Sequence, residues 1–213
     1  MLRANKKTLI ITSIITVLPI FAGLLFWNRL PDVMATHFGT DNVADGFSSK
    51  AFAVFGLPLF CLAIQWVMAF FTFHDPRRQN ISQKIFSLVL WIVPVVSLVC
   101  AAIMYPYNLG YQMDISFLAG LFLGLMFVVL GNFMPKTRHN YTIGIKVPWT
   151  LANEENWDRT HRFAGFLWVI GGILMIILAL TGIFATGLLV GLMVILTVVP
   201  TVYSFWLHAA KGM

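Results

Sequence analysis

The chain has 213 residues, of which 59% are hydrophobic and only 10% charged, and its mean hydropathy is +0.85. Soluble domains carry roughly 45–50% apolar and about 25% charged residues, so a soluble globular domain and a disordered chain are both excluded. The formal net charge of +6 and pI of about 9.6 would suggest nucleic acid in a soluble protein. In so apolar a chain they are first a statement about membrane orientation, and no direct nucleic-acid partner is expected.

A helix crossing the hydrocarbon core needs about 20 mostly apolar residues. Six segments qualify: Thr8–Trp27, Ala51–Phe73, Ile85–Met104, Ile115–Phe133, Phe163–Phe184 and Gly187–Leu207. The first follows Arg3, Lys6 and Lys7 as a signal peptide would. Its apolar run exceeds the roughly 7–15 residues of a signal sequence and no A-x-A site follows, so it reads as a retained span. Lys and Arg cluster before the first span, at Arg77, Arg78 and Lys84, at Lys136, Arg138, Lys146, Arg159 and Arg162, and at Lys211. The other side holds Arg29 and Lys50, while the Tyr105–Asp114 loop and the Ala185–Thr186 turn hold neither type. The positive-inside rule then gives an all-α, polytopic, multi-pass membrane fold, with six transmembrane helices and both termini cytoplasmic. Residues 1–213 form one six-helix domain surrounded by membrane lipids. Residues 28–50 are an extracellular loop and residues 134–161 a cytoplasmic one.

No Asp, Glu, Lys or Arg lies well inside any span, which argues against a proton-coupled transporter. His208 alone lies near a span, which argues against haem held by two histidines. No cofactor is expected. Gly120, Gly124 and Gly131 share one helical face, and Gly187 and Gly191 form a G-x-x-x-G pair. Such faces let helices approach closely, here within the bundle or along a dimer seam. Pro19, Pro58, Pro94 and Pro200 fall within spans and are expected to kink them. Cys61 and Cys100 also fall within spans and read as core cysteines with no disulfide framework.

The outer loop contains His37, Asp41 and Asp45, spaced four apart. On a helix they would stack and could hold a divalent metal. Gly39, Asn42 and Gly46 oppose a continuous helix, and Asp-Asn and Asp-Gly favour turns. The loop is therefore expected to be a compact, turn-rich cap, ligand or metal contact being the alternative.

The cytoplasmic segment is broken by Pro135, Gly144 and Pro148 and should be extended or turn structure as far as Trp149. Asn153 then reads as the N-cap of a helix starting near Glu154, with Glu154 and Glu155 favoured by the helix dipole. Glu155–Arg159 and Asp158–Arg162 are i,i+4 pairs of favourable order. The helix should run directly into the fifth span, with Trp157, His161 and Trp168 on one face. His139, His161, Glu154, Glu155 and Asp158 supply titratable groups, but no H-E-x-x-H, G-x-S-x-G or G-x-x-x-x-G-K-[ST] is present, so no enzyme is expected.

The segments Leu30-Pro31-Asp32 … His37-Phe38-Gly39 … Asp45-Gly46 … Ser49-Lys50 and Gly131-Asn132 … Pro135 … Asn140-Tyr141 … Ile143-Gly144-Ile145-Lys146 … Pro148-Trp149-Thr150-Leu151 … Trp157 … Thr160-His161 … Gly165 resemble the SdpI-type immunity protein family of bacteria. Lys146 stands where that family favours Arg, which keeps the charge without the bidentate fork. The resemblance implies a membrane immunity and sensor protein. It would protect against an extracellular peptide toxin and hold a cognate ArsR-type repressor at the membrane. Pro31, His37, Asp45 and Lys50 would shape the toxin-facing surface. Asn132, Pro135, Asn140, Gly144, Lys146, Pro148, Trp149, Thr150, Trp157 and His161 would shape the cytoplasmic one. A small transporter or exporter of peptides or hydrophobic compounds is the alternative that the kinked spans suggest.

Overall fold

The computed structural model describes residues 2–39, 42–182 and 186–213. Among them, six helices are long and apolar enough to cross a membrane. These are α1 (Leu2–Leu25), α2 (Leu57–Phe73), α3 (Gln83–Asn108), α4 (Ile115–Phe133), α6 (Glu154–Thr181) and α7 (Thr186–Lys211); α5 is a short helix over Pro148–Ala152. A π-helical turn, Phe52–Gly56, runs directly into α2 just before Pro58, and its altered hydrogen-bond pattern is where the helix absorbs the missing N–H. All six expected spans are present with shifted ends. Trp27 lies beyond α1 in a turn, its N–H donating to Leu24 O at 3.3 Å. The expected end of the fifth span at Phe184, and Ala185 in the turn after it, lie outside the described residues.

The chain forms two compact units: one through Phe73 together with Gln83–Ile115, the other His74–Ser82 with Ser116–Met213. In the first unit, α1 packs on α3 and α2. The apolar core gathers Leu30, Met34, Ala53, Val54, Ala101, Met104 and Tyr105. Gly23 is required here, since a Cβ would lie 2.6 Å from Val54 and 2.8 Å from the Tyr105 hydroxyl. Deeper along the helices an uncharged polar cluster is fully buried. Thr16 Oγ1 donates to Gln65 Oε1 at 2.7 Å, Gln65 Nε2 to Thr12 Oγ1 at 2.6 Å, and Ser97 Oγ to Thr16 O at 2.8 Å. Such bonds hold helices together where no water competes.

The expected turn-rich cap is instead an antiparallel β-hairpin, β1 (Val33–Phe38) and β2 (Ala44–Ser49). Within β1, Met34 and Ala35 are buried, Met34 in the apolar core, whereas Val33 and His37 are exposed. Asn108, at the end of α3, acts as a short extra strand on β1. Its side chain accepts from Ala35 N at 2.8 Å and donates to Ala35 O at 3.0 Å. The Asp45-Gly46 pair, expected in a turn, lies within β2. The register slips there, and a Cβ on Gly46 would lie 2.7 Å from His37 Cβ. Asn42 does adopt the left-handed conformation, with φ of 63°.

In the second unit, α4 and α6 cross with backbone against backbone. A Cβ on Gly124 would sit 2.7 Å from Gly172 O, and one on Gly131 would sit 2.9 Å from Gly165 O. The glycine face of α4 therefore serves packing within the chain. Gly187 and Gly191 of α7 meet nothing within 4 Å. Trp168 Nε1 donates to Leu196 O at 2.7 Å, fastening α6 to α7.

Candidate functional site

Two extramembrane clusters, one in each unit, collect the polar side chains. On the hairpin, the strands bring His37 opposite Asp45, with Nδ1 and Oδ1 2.5 Å apart and both side chains more than half exposed. The four-residue spacing thus acts across two strands and not along a helix. Asp41, the third member of that pattern, lies outside the described residues. Pro31 is exposed at the hairpin's base. Lys50 is largely covered: its ammonium meets Asp32 at 3.0 Å, Trp27 O at 3.3 Å and the Trp27 ring at 5.3 Å.

The second cluster is built on the start of α6. Asn153 caps the helix as expected, its side chain accepting from Asn156 N at 2.9 Å. Glu155 and Arg159 pair at 2.6 Å. The expected Asp158–Arg162 pair does not form among the described residues. Both side chains are exposed, and the few tenths of a kcal/mol such a pair contributes does not fix two solvated rotamers.

Trp157 is wholly buried and stacks on His161, with ring centroids 4.0 Å apart. Its indole N–H donates to Thr137 O at 2.7 Å. His161 Nδ1 contacts Trp157 O at 2.7 Å, and its Nε2 accepts the Ile145 N–H at 3.0 Å. Nδ1 therefore carries the proton and the ring is held neutral. Gly144 passes directly over this ring at φ of +127°, and a Cβ there would fall 2.3 Å from Nε2. Only glycine satisfies both conditions.

Asn140 shapes the rest of the loop. Its side-chain oxygen accepts from Thr142 N and Ile143 N at 2.9 and 2.7 Å, and its amide donates to Arg138 O at 2.8 Å. Thr150 Oγ1 accepts from Val147 N at 3.1 Å, with Pro148 in the first turn of α5. Trp149 donates to the Ser204 hydroxyl and stacks near His208, tying α5 to α7. Pro135 packs where a Cβ on Gly165 would lie, 2.7 Å away. Lys146 is exposed and donates to Thr142 O at 3.0 Å. Asn132 is exposed at the end of α4, apart from the cluster.

Sequence reasoning missed the 74–82 segment, read there only as a source of positive charge. Asp75 is 4% exposed. It accepts from Arg77 N at 2.7 Å, Tyr141 N at 2.9 Å and the Thr142 hydroxyl at 2.8 Å. Arg77 Nη1 donates to His139 Nδ1 at 2.5 Å, and Asn80 donates to His139 O at 2.8 Å. Burial first, and the Arg77 charge second, hold the His139 pKa below its usual value. The signal was an Asp followed by Pro and two Arg in a connection too polar for its length. Asn156, whose amide donates to Ser204 O at 3.0 Å, was also missed.

Asn140, Thr150, Trp157 and His161 are almost completely inaccessible. They fix the loop's shape, while Arg138, Tyr141, Lys146, Glu154 and Asp158 form its exposed surface.

Residues 136–204, which span most of this cluster, match the SdpI/YfhL protein family. Residues 14–62, which include the hairpin, match a domain of unknown function, DUF1648. The chain is 24% identical to the immunity protein SdpI of Bacillus subtilis (strain 168) over 204 residues, covering 93% of this chain and 95% of that one. No solved structure matches. With both regions in one chain and similarity along nearly its whole length, this multi-pass bacterial membrane protein is similar to the SdpI/YfhL protein family over residues 136–204 and to an immunity protein over 93% of its length.

Proposed function

We propose that the chain protects the bacterium carrying it from a toxic peptide that acts at the cell membrane. The similarity to an immunity protein over 93% of the chain carries this reading. The hairpin faces outward and the loop before α6 faces the cytoplasm. Charge supports that orientation: three Lys/Arg-rich segments and Lys211 fall on the side of the N-terminus, as the positive-inside rule favours. Span parity agrees, because the hairpin follows the first span and the second cluster follows the fourth.

On the outer side, the exposed His37–Asp45 pair, Pro31 and the apolar side chains of Val33 and Phe47 meet the peptide. On the cytoplasmic side, an ArsR-type repressor docks on the exposed residues Arg138, Tyr141, Lys146, Glu154 and Asp158. The buried scaffold behind them keeps that surface in one shape.

Expression in a strain sensitive to an exported toxic peptide tests the reading. Cells with the protein in the membrane survive a dose that kills control cells. Unchanged killing at full expression by every candidate peptide overturns it. The repressor step has its own readout, co-sedimentation of the regulator with membranes only when the toxin is present.

A further inference from the structure

The first unit holds a partly open cavity of about 260 Å³ beneath the hairpin. β1 closes it with Thr36 and Phe38, α2 contributes Leu57 and Cys61, and α3 contributes Cys100 and Met104. Its volume is close to the lower end of the roughly 300–1,000 Å³ typical of ligand pockets. It is also roughly nine times the ~30 Å³ that a water occupies in the liquid.

The wall offers almost nothing to a polar molecule. Its two hydroxyls are already engaged: Thr36 Oγ1 with Ser48 Oγ at 3.0 Å, and Ser97 Oγ with Thr16 O at 2.8 Å. The remaining lining is aliphatic, aromatic or sulfur. Spaces with such walls shed water and take up hydrocarbon. The position agrees. Ser97, in the wall, lies eleven residues from Asn108, the hairpin end of α3. At 1.5 Å per residue that is about 16 Å, near the middle of a ~30 Å hydrocarbon layer. An apolar wall at this depth in the bilayer suits the hydrocarbon chain of an amphiphile.

We propose that this cavity is a binding site for a single alkyl chain, of the kind carried by fatty acids and membrane lipids. The lining shares no residue with the surfaces assigned to toxin and repressor, and the site stands whether or not the chain confers immunity. Cys61 and Cys100, expected as core cysteines, are its natural reporters. Cys61 is half-buried and Cys100 exposed, and both line this space.

Photolabelling of the full chain in lipid nanodiscs tests the site. One arm supplies a fatty acid ending in a diazirine, the other a phosphatidylcholine carrying the same chain. Irradiation followed by peptide mass spectrometry should place adducts on Cys61, Cys100 or Met104. An excess of unlabelled oleate should lower those adducts at least tenfold. Adducts on the exposed α2 residues Phe60 and Ile64 should persist and report that the protein remains inserted. Cys100→Phe and, independently, Cys61→Phe fill the space and should abolish cavity adducts while leaving those at Phe60 and Ile64. Labelling in the fatty-acid arm alone identifies a free amphiphile, and labelling in both arms identifies bilayer lipid. Adducts confined to Phe60 and Ile64 in both arms overturn the proposal. So do cavity adducts that oleate fails to reduce.

Discussion

Asp75 Oδ2 accepts the Thr142 hydroxyl at 2.8 Å, joining two segments that lie 67 positions apart in the chain. The same carboxylate takes the N–H groups of Tyr141 and Arg77. Hydrogen bonds to a charged group are each worth about 1.5–3 kcal/mol, and orphaning a buried donor carries its own cost. Asp75→Ala is expected to destabilise the second unit by roughly 2–4 kcal/mol. Thermal unfolding of the purified protein measures this, and limited proteolysis should show new cleavage within residues 137–147. A melting curve identical to wild type contradicts it.

Gly144→Ala tests the packing of the loop on α6. The substitution requires a left-handed backbone and puts a methyl group 2.3 Å from His161 Nε2. Backbone strain of this kind costs on the order of 1–3 kcal/mol before any clash is counted. Stability should fall by at least that amount, and near-ultraviolet circular dichroism of Trp157 should change as the Ile145–His161 bond is lost. Gly187→Ala is the matched control. Its Cβ meets nothing, so its melting curve should stay at the wild-type position.

His139 predicts the direction of a pH effect. Its folded pKa lies below the usual value of 6.5, through burial first and Arg77 second. As pH falls, the unfolded chain binds the proton first. The stability His139 contributes is thus complete above pH 6.5 and is lost as pH falls through 6.5 toward the folded pKa. Melting temperature measured between pH 7.5 and pH 5 should decline in wild type and decline less steeply in His139→Gln. Equal slopes contradict the assignment.

Gln65→Leu in the first unit should have a small effect, roughly 1 kcal/mol or less, in line with hydrogen bonds between membrane helices. With Gln65 gone, the Thr16 hydroxyl turns its proton to Thr12 O at 2.8 Å and Thr12 bonds Thr8 O at 2.9 Å, so no donor is orphaned. A loss of several kcal/mol in detergent unfolding would show that the cluster acts as one cooperative unit.

The spans were legible because each is a run of apolar residues long enough to be unambiguous. The α6 cap at Asn153 was legible because Asn followed by two Glu satisfies orphan N–H groups and the helix dipole together. The hairpin was hidden by Asp45-Gly46, a strong local turn signal overridden by the crossing of His37 above Gly46. The role of Asp75 was invisible for a different reason, as its partners lie 66 and 67 positions away. Thr12, Thr16, Gln65 and Ser97 escaped notice because uncharged polar residues scarcely interrupt an apolar run, and only helix packing brings them together. Asn140, Trp157 and His161 stood out as a motif, but nothing in their spacing says that they face inward.

The central claim is that the hairpin and the loop before α6 face opposite sides of the membrane. Single reporter cysteines at Asp45→Cys and Tyr141→Cys, in a Cys61→Ala, Cys100→Ala background, test it with a membrane-impermeant maleimide on intact cells. Both sites are exposed, so access to the reagent decides the result. The account predicts rapid labelling at position 45, and labelling at position 141 only after the cells are opened. Labelling of both sites in intact cells, or of position 141 alone, would contradict it.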